Sequence, residues 1–570
     1  MHVAKIERKH GDRTYVSYLL RQSYRQDGKV KHRTLANLSH LPEHLLDLVR
    51  RSLQGETFLA SSEVVRTTAT VPHGHVEAIL TLCDKLALES LLGSKPSRQR
   101  SLILALIVQR LLFPCSKLAS LRYWQSTTLA DELEVADAQS TELYQALDWL
   151  VKRQKAIEQK LATRHLQEDG VVLYDVSSSF YQGHTCPLAR YGHDRDGKRG
   201  LPIIVYGLLT DAQGRPVAVQ VYPGNTADPT TVVDQLEKVQ QQFGLQRVIL
   251  VGDRGMLTQT QINTLKQHPG VGWISALRSQ AIAKLLQKGL LKHENFTPIP
   301  LAEITSPDFP NERLIACYNE RLAKERHEKR QRLLEATEVN LQKLARWVRR
   351  QTKTPLTAGE IGIRAGKVIG KHKMAKHYQL QIANGSFMWN RREEAIRREQ
   401  ELDGIYVIRT SEAKKNLEAA DGVRTYKSLA VVERAFRCLK GLDLLVRPIR
   451  HRVEPRVRAH VLLCMLAYYV EWHLRKALKP LLYEDEELEE ARKQRDPVQA
   501  AEASESAKAK KKTHKTAKGF VAQDFRSLLA HLGARSRVTY QVVSETGAAT
   551  FQQVSEPDEL QAEALRLLQL

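Results

Sequence analysis

The stretch RVILVGDRGM, residues 247–256, decides how the middle of this chain folds. Its apolar and glycine residues, Val248 to Gly252, are followed directly by Asp253. A short, solidly apolar run is typical of a strand that is buried on both faces of a sheet. Burying a carboxylate at the end of such a strand is costly unless it is paired, hydrogen-bonded or bound to a metal. The stretch therefore predicts a central strand that carries an acid at its tip.

The flanking sequence predicts the rest of this sheet. Three strands are expected at residues 171–180, 201–211 and 215–225, with a turn at 211–214 between the last two. A helix is expected at 226–244, immediately before the central strand. Three strands, a helix and a buried strand favour an α/β sheet with mixed pairing.

A second acid occupies a comparable position. Asp175 follows the apolar run Val171 to Tyr174 in VVLYDVSSSF. If the two strands are sheet neighbours, Asp175 and Asp253 can converge into an oxygen-rich site suited to Mg²⁺ or Mn²⁺. Two such ions can activate a water or hydroxyl in phosphodiester chemistry. The alternative is that each aspartate only caps a turn.

A helix is expected over YKSLAVVERAFRCLK, residues 426–440. Tyr426, Glu433 and Lys440 are spaced by seven residues, so they lie on nearly one face, and Arg437 adjoins it. The residues on the other side are apolar and can pack inward: Val432, Ala435, Phe436 and Leu439. Glu433 would hold metal while Arg437 and Lys440 contact DNA phosphates. The alternative is an ordinary amphipathic helix.

Composition narrows the class of protein. The 570 residues include 87 Lys and Arg against 64 Asp and Glu, a net charge of +23, which favours a nucleic-acid partner. The six scattered cysteines form no CxxC pair, so a disulfide scaffold is not expected and a reducing cytoplasm fits. Runs of 18 or more apolar residues do not occur, so we expect no association with a membrane.

Changes in pattern along the chain predict its domain organisation. Asp27-Gly28 lies between two basic strand-like runs, which indicates a hairpin. The expected parts are a small basic β-hairpin unit (1–60), a helical domain (61–168), a catalytic core in two pieces (169–317 and 401–480), an insertion with a long charged helix (318–400), a charged low-complexity linker (481–518) and a C-terminal segment (519–570). We expect the hairpin unit and the helical domain to recognise DNA ends.

Several segments, in this order, carry a family resemblance: LYDVSSSFYQG, ARYGHDRDGKRGLPIIVYGLLTD, VYPGNTADPTT, VGDRGM, DGIYVIRT, YKSLAVVERAFRCLK and RPIRHRVEPRVRAHV. The chain resembles the DDE transposases of bacterial insertion sequences, in the group with a Tyr-Arg-Glu-Lys signature. The resemblance spans roughly residues 170–475. It implies an RNase H-like catalytic domain in which Asp175, Asp253 and Glu433 hold two divalent metal ions, while Tyr426 and Lys440 match the ends of the signature.

The resemblance also implies partners and a location. The partners would be double-stranded DNA, as terminal inverted repeats and as target, and a second copy of the chain in the DNA complex. The location would be the bacterial cytoplasm, at the nucleoid. The expected reaction is cleavage at the ends of an insertion sequence and joining of the 3′-OH to target DNA. The alternatives are an RNase H-like nuclease and a non-catalytic DNA-binding regulator.

The signature has one departure in this sequence. Its Arg position, three residues after Tyr426, is Leu429. The cations that could supply the missing phosphate contact are Arg424, Lys427, Arg434 and Arg437.

Overall fold

The computed structural model describes residues 1–11, 13–56, 58, 65–544 and 547–569, apart from the side chains at 543, 544, 547 and 548. The described chain divides into two units. One consists of residues 1–71 and 536–555, and the other of residues 72–535 and 556–570.

The first unit contains two small antiparallel sheets and a helix. The elements are β1 (His2–His10), β2 (Arg13–Gln26), β3 (Lys29–Asn37), α1 (Glu43–Leu53), β4 (Val65–Pro72), β15 (Ser536–Ser544) and β16 (Gly547–Val554). The strand orders are β1-β2-β3 and β16-β15-β4. The hairpin predicted at Asp27-Gly28 is confirmed. Both residues have positive φ, 50° and 72°, as a two-residue turn between twisted strands requires.

An eight-stranded mixed sheet organises the second unit, in the order β10-β11-β14-β9-β8-β5-β6-β7. The strands are β5 (Gly170–Phe180), β6 (Ile203–Asp211), β7 (Pro216–Pro223), β8 (Val248–Val251), β9 (Val271–Ala276), β10 (Leu301–Ile304), β11 (Arg313–Tyr318) and β14 (Ile405–Thr410). β8 is parallel to both of its neighbours, β5 and β9, and all four of its residues are buried. The predicted central strand and the mixed pairing are both confirmed.

Helices surround this sheet. In chain order they are α2 (Gly74–Lys85), α3 (Leu88–Leu92), α4 (Arg98–Leu112), α5 (Lys117–Trp124), α6 (Leu129–Glu132), α7 (Ser140–Lys152), α8 (Gln154–His165), α9 (Thr231–Glu237), α10 (Gln259–Leu265), α11 (Ser279–Gln287), α12 (Glu320–Arg350), α13 (Ala358–Lys371), α14 (Glu393–Gln400), α15 (Ala419–Lys427), α16 (Leu429–Lys440), α17 (Glu454–Leu478), α18 (Leu488–Gln494), α19 (Glu505–Thr513), α20 (Phe525–Gly533) and α21 (Glu559–Gln569). Short 3-10 turns occupy Asp228–Thr230, His293–Phe296, Ala375–His377 and Lys479–Leu481, and a π-helical turn occupies Lys238–Gln242.

The helices α2 to α8 share a core with the sheet. One continuous cluster of buried apolar side chains runs from Val76 on α2 through Leu173 on β5 to Leu462 on α17. Helix α17 is largely buried within this cluster and packs against α4, α7 and β7. The sheet and the N-terminal helices therefore share one apolar core.

The insertion leaves the sheet after β11 and returns at β14, its neighbour. It contains the predicted long helix, α12, and a pair of short antiparallel strands, β12 (Tyr378–Ala383) and β13 (Ser386–Arg391). Its apolar side chains form a separate core, which includes Leu341, Ile361 and Phe387. The insertion is thus a subdomain with a core of its own.

The sequence predicts a charged low-complexity linker at 481–518, and the structure shows helices within this segment. The segment contains α18 and α19, and the side chain of Lys510 on α19 is buried. Its Nζ donates to the carbonyl oxygens of Leu482 and Glu484 and to the carboxylate of Glu486. The segment forms helices despite its low-complexity composition, because these acceptors compensate for the cost of burying the Lys510 side chain.

Among the described helices, none alone has the length and apolar character to cross a membrane. The pair Arg98–Leu112 and Lys117–Trp124, bent by 87°, meets the criteria of length and composition when it is taken together.

Candidate active site

The two aspartates lie at the same edge of the sheet. β5 and β8 are parallel, with Leu173 opposite Val251, and Asp175 and Asp253 each follow that pair by two residues. β8 ends at Val251, whereas β5 continues to Phe180. Asp175 therefore lies where its neighbouring strand stops and the chain turns. β5 and β8 are neighbours in the sheet, so the condition for Asp175 and Asp253 to come close together is met.

The turn after β8 holds the Asp253 carboxylate in place. Oδ1 accepts hydrogen bonds from the backbone N–H groups of Gly255, at 3.0 Å, and Met256, at 2.7 Å. A Cβ at position 255 would lie only 3.2 Å from Asp253 Oδ2, so glycine leaves the carboxylate room. Within the described chain Oδ2 accepts no hydrogen bond. The backbone thus fixes Oδ1 of Asp253, while Oδ2 of this exposed residue is available to a ligand.

Asp175 lies deeper than Asp253. Burial raises the pKa of its carboxyl to about 7, against the opposing hydrogen bond from the Val176 N–H at 2.8 Å. The negative charges of Asp253 and Glu433 raise the pKa of Asp175 further, while the Arg195 guanidinium lowers it. The carboxylates of Asp253 and Glu433 therefore both lie near enough to Asp175 to act on its charge.

Helix α16 brings the third carboxylate to the sheet edge. Val432, Ala435, Phe436 and Leu439 are buried and pack against the sheet, with the Phe436 ring 5.9 Å from that of Tyr206. Glu433 lies on the opposite, exposed side of the helix. The predicted inward-facing residues are confirmed, and they aim Glu433 away from the core.

The expectation of one helix over 426–440 is wrong. Helix α15 ends at Lys427 and α16 begins at Leu429, so Tyr426 and Glu433 lie on successive helices. At the junction, the Ser428 hydroxyl donates to the carbonyl of Thr425, a local bond that competes with helical pairing. Tyr426 nevertheless lies near the acids. Burial and the charges of Asp253 and Glu433 raise the pKa of its hydroxyl to about 12.

Lys440 is held by a partner within the chain. Its Nζ donates to Oδ1 of Asp196 at 2.9 Å, and Arg447 pairs with the same oxygen. The Asp196 carboxylate is 1% exposed and also accepts the Phe180 backbone N–H. Sequence reasoning missed Asp196, although its segment, HDRDGKRG, stands out by charge. The pair fixes the end of α16 against β5, and contact between Lys440 and DNA stays a prediction.

The four candidates for the missing signature Arg separate into two groups. Arg424 and Lys427 are turned inward and donate to backbone carbonyls at 495–499. Arg434 and Arg437 are exposed, and neither forms an ion pair within the described chain. Arg434 and Arg437 are therefore the cations on this face that remain available to a phosphate.

Two more arginines lie near the acids. Arg195 forms an ion pair with Asp228 and acts electrostatically on Asp175. Arg254 directly follows Asp253 and lowers the pKa of Tyr426. Arg195 and Arg254 therefore place positive charge near Asp175 and Tyr426.

A cavity of about 250 Å³ opens beside Tyr426. Its floor is apolar and includes Leu277 and Ile405, and its lining includes the cations Arg254, Arg326 and Lys427. Because Arg326 belongs to α12, the cavity joins the surroundings of Asp253 to the base of the insertion.

The three carboxylates suit divalent cations. They are hard oxygen donors whose mutual repulsion a cation would relieve. Among the described residues, only Cys438, Asp443 and Glu471 bring three possible ligand atoms within 4.8 Å of one another, so the oxygens of the triad are spread more widely than that.

Comparisons with known proteins identify the family of this chain. The sequence matches the model of the transposase DDE domain over residues 167–470, which is more than half of the chain. Residues 3–61 match the model of the N-terminal domain of IS1634 family transposases. No curated protein sequence was found to be similar.

Eight chains in solved structures match the fold. One is in the cryo-EM structure of a piggyBac transposase synaptic complex with hairpin DNA. It is 9% identical with a TM-score of 0.34, over 70% of this chain and 72% of the other. Another is in the Mos1 transposase paired-end complex with the left transposon end. It is 18% identical with a TM-score of 0.14, over 27% of this chain and 56% of the other.

Proposed function

The chain belongs to the DNA transposases with a DDE catalytic domain, and we propose that it cuts DNA at the ends of an insertion sequence and joins the freed 3′-OH to target DNA. The family uses divalent metal ions, and we infer two Mg²⁺ or Mn²⁺ ions here. We infer further that two copies of the chain act together on paired terminal inverted repeats, in the bacterial cytoplasm at the nucleoid.

Asp175, Asp253 and Glu433 are the proposed metal ligands and catalytic residues. When bound, two ions would activate the attacking oxygen and stabilise the leaving oxygen of an in-line displacement. The acids come from β5, from the turn after β8 and from α16, so each is anchored by a different part of the core. Arg437 and Lys440 are proposed to contact DNA phosphates. Tyr426, which has a raised pKa, is proposed as a phosphate or base contact rather than a nucleophile.

The proposal is supported by the placement of the acids: Asp175 and Asp253 follow paired residues of β5 and β8, and, in addition to burial, the charges of Asp253 and Glu433 raise the pKa of Asp175. A DNA-binding regulator without catalysis would have no need to keep three acids together in a basic protein. A nuclease on the same scaffold would cut DNA but leave the 3′-OH unjoined.

A cleavage and strand-transfer assay tests the proposal. The substrate is duplex DNA that carries the gene's own flanking ends, and a plasmid serves as target. We expect cutting and joining with Mg²⁺ or Mn²⁺ and neither with EDTA, because the three acids alone supply no electrophile. Light scattering of the complex with end DNA should give two protein chains. Cutting without joining would indicate the nuclease, and binding without chemistry would indicate the regulator.

We also propose that the N-terminal hairpin unit and the helical region recognise the DNA ends. Because the helices α2 to α8 share the catalytic core, removing them would unfold the protein. Deleting residues 1–56 removes only β1, β2, β3 and α1. We expect that variant to lose its preference for end DNA over random duplex while it keeps weak, salt-sensitive binding.

A second variant controls for the deletion. Replacing Arg25, Lys29, Lys31 and Arg33 with glutamine keeps the hairpin and its Asp27-Gly28 turn but removes four exposed cations. Gel-shift titrations with both DNAs measure the preference. An undiminished preference in both variants would exclude the hairpin from end recognition.

A further inference from the structure

Positive charge is concentrated at the far end of the insertion. Between residues 343 and 376 there are ten Lys and Arg but one acid, Glu360. The cations are Lys343, Arg346, Arg349, Arg350, Lys353, Arg364, Lys367, Lys371, Lys373 and Lys376. We call this end of α12, the connection to α13, and α13 with its following turn the basic lobe. The preceding part of α12, residues 320–342, balances six cations with five acids.

The charges of the basic lobe are exposed and largely unbalanced. All ten cations are exposed, and within the described chain only Lys376 forms an ion pair, with Glu399. Glu360 is occupied with the capping box of Thr357 at the start of α13. Repulsion among nine unpaired cations disfavours the folded lobe, so a polyanion that neutralises them would stabilise it.

Four of these cations lie on connected faces of α12 and α13. Lys343, Arg346 and Arg350 are spaced by three and four residues, which places them on one face of α12. That face is opposite the buried side chains of Leu341 and Val348. Arg364 of α13 lies over the Trp347 ring at 4.1 Å and so connects the two helices across this surface.

Helix α13 carries a stripe of glycines beside these cations. Gly359, Gly362, Gly366 and Gly370 lie along one side, and a Cβ at any of them would meet nothing within 4 Å. Glycine is the poorest helix former apart from proline, and four in one exposed helix need a reason. The glycines leave little side-chain volume on this side of α13, where Ile363 is the exposed large side chain, so a partner can approach the backbone between them closely. The stripe is about 16 Å long at 1.5 Å per residue.

The chemistry of this surface fits duplex DNA better than a lipid membrane. The apolar residues Ile361 and Ala365 of α13 are buried in the insertion core, and the outer side offers glycine and lysine. An interfacial membrane helix needs an exposed apolar face, which one exposed side chain, Ile363, does not provide. Unpaired cations beside a smooth helix match a row of phosphates.

We propose that the basic lobe binds the sugar-phosphate backbone of duplex DNA, without reading sequence, at a surface distinct from the three acids. This inference rests on the chain being a DNA transposase. It gives the insertion a role in holding DNA, independent of the chemistry at Glu433.

Two triple variants of the full chain test this proposal. The lobe variant is Lys343→Gln/Arg346→Gln/Arg350→Gln. The control is Lys324→Gln/Lys329→Gln/Arg332→Gln, which removes the same charge from exposed positions of the same helix. The probe is a random-sequence 30-base-pair duplex, titrated by fluorescence anisotropy from about 50 to 200 mM salt.

The lobe variant should bind at least about tenfold more weakly than wild type at about 0.1 M salt. Its plot of log affinity against log salt should be shallower by about 3, since each lost phosphate contact removes about 1. The control should change affinity less than about threefold, because it alters only the long-range field. Equal losses in the two variants, or none in either, would overturn the proposal.

The glycine stripe has a test of its own. Gly366→Leu should fold, because a side chain there extends into open space. It should weaken duplex binding at least about threefold by holding DNA away from the helix and its cations. Gly366→Ala, with a smaller side chain and better helix propensity, should bind more like wild type. Wild-type affinity of Gly366→Leu would overturn the assignment of the glycine side as the DNA-facing surface.

Cleavage separates this proposal from the general function. If wild type and the lobe variant both cut end DNA and bind random duplex equally well, the lobe proposal fails and the transposase assignment stands. If wild type neither binds nor cuts DNA, both fail. Cleavage retained at saturating protein but lost at low protein by the lobe variant supports a holding role.

Discussion

Glu433→Gln is expected to lower the rate of metal-dependent DNA cleavage at least about 10²-fold, the effect of losing several kcal/mol of charge stabilisation at the reacting phosphate. Affinity for end DNA, measured without added metal, should not fall. The amide keeps the size of the side chain, and the exposed position of Glu433 makes folding insensitive to the change. Cleavage time courses and gel shifts on the same protein preparation measure the two properties.

Matched variants strengthen this test. Glu418→Gln makes the same chemical change at an exposed position on the preceding helix, and its cleavage rate should equal that of wild type. Asp253→Asn should be as inactive as Glu433→Gln, since an amide oxygen can still accept the N–H groups of Gly255 and Met256 but carries no charge. Wild-type cleavage by Glu433→Gln would remove Glu433 from the catalytic site.

The largest expected effect on stability is at Arg475. Its guanidinium donates to the fully buried Glu471 at 2.7 Å and to Asp443 at 3.4 Å. Cys438 Sγ lies 2.9 Å from the other oxygen of Glu471. Cys438, Asp443 and Glu471 together could hold a metal ion, but the Arg475 guanidinium already supplies the positive charge there. Arg475→Met leaves a buried carboxylate unpaired and should lower the free energy of unfolding by about 3–5 kcal/mol. Methionine can preserve contact with the Phe525 ring, which lies 4.3 Å from the guanidinium.

The effect of Arg475→Met should grow with pH. Burial raises the pKa of Glu471, and Arg475 opposes that rise. When folding raises the pKa of a carboxyl, the free energy of unfolding falls as pH increases from the pKa in the unfolded chain to the pKa in the folded protein. The reason is that the unfolded chain releases its proton at the lower pH. Without Arg475 the pKa of Glu471 rises further. The stability difference from wild type should therefore widen between pH 5 and pH 8, as chemical denaturation at both pH values would measure.

Two further variants control for lost packing. Adding Glu471→Gln to Arg475→Met should recover part of the loss at pH 8, since no buried charge is then left unpaired. Arg321→Met breaks the exposed pair with Glu325 and should cost about 0–1 kcal/mol. A loss for Arg475→Met that is the same at both pH values would show that packing, not charge, dominates.

Local patterns in the sequence predicted local structure correctly. The apolar run before Asp253 specified a strand buried on both faces, and Asp27-Gly28 specified a two-residue turn, because each depends on the preferences of a few adjacent residues. The burial of Val432 and Phe436 followed from helical periodicity in the same way. These predictions required no knowledge of the rest of the chain.

Features that depend on distant residues were not predicted. The pairing of Lys440 with Asp196 joins residues 244 positions apart, and its cost or benefit depends on burial that spacing does not reveal. The break at Ser428 depends on local backbone geometry, which the spacing of Tyr426, Glu433 and Lys440 does not reveal. The burial of Lys510 depends on acceptors about 25 residues away. Composition alone described that segment as a linker.

The insertion enters and leaves the sheet at nearly one point. The Asn319 backbone N–H donates to the Gly404 carbonyl at 2.9 Å, and Arg330 forms a buried pair with Asp403. The two ends of the insertion are hydrogen-bonded to each other and its core is separate, so it is a self-contained subdomain joined to the sheet at one point. Lengthening a loop between fixed ends costs little entropy. The insertion can therefore be replaced or change in length during evolution without disturbing the catalytic core. A foreign domain with adjacent termini could be grafted in its place.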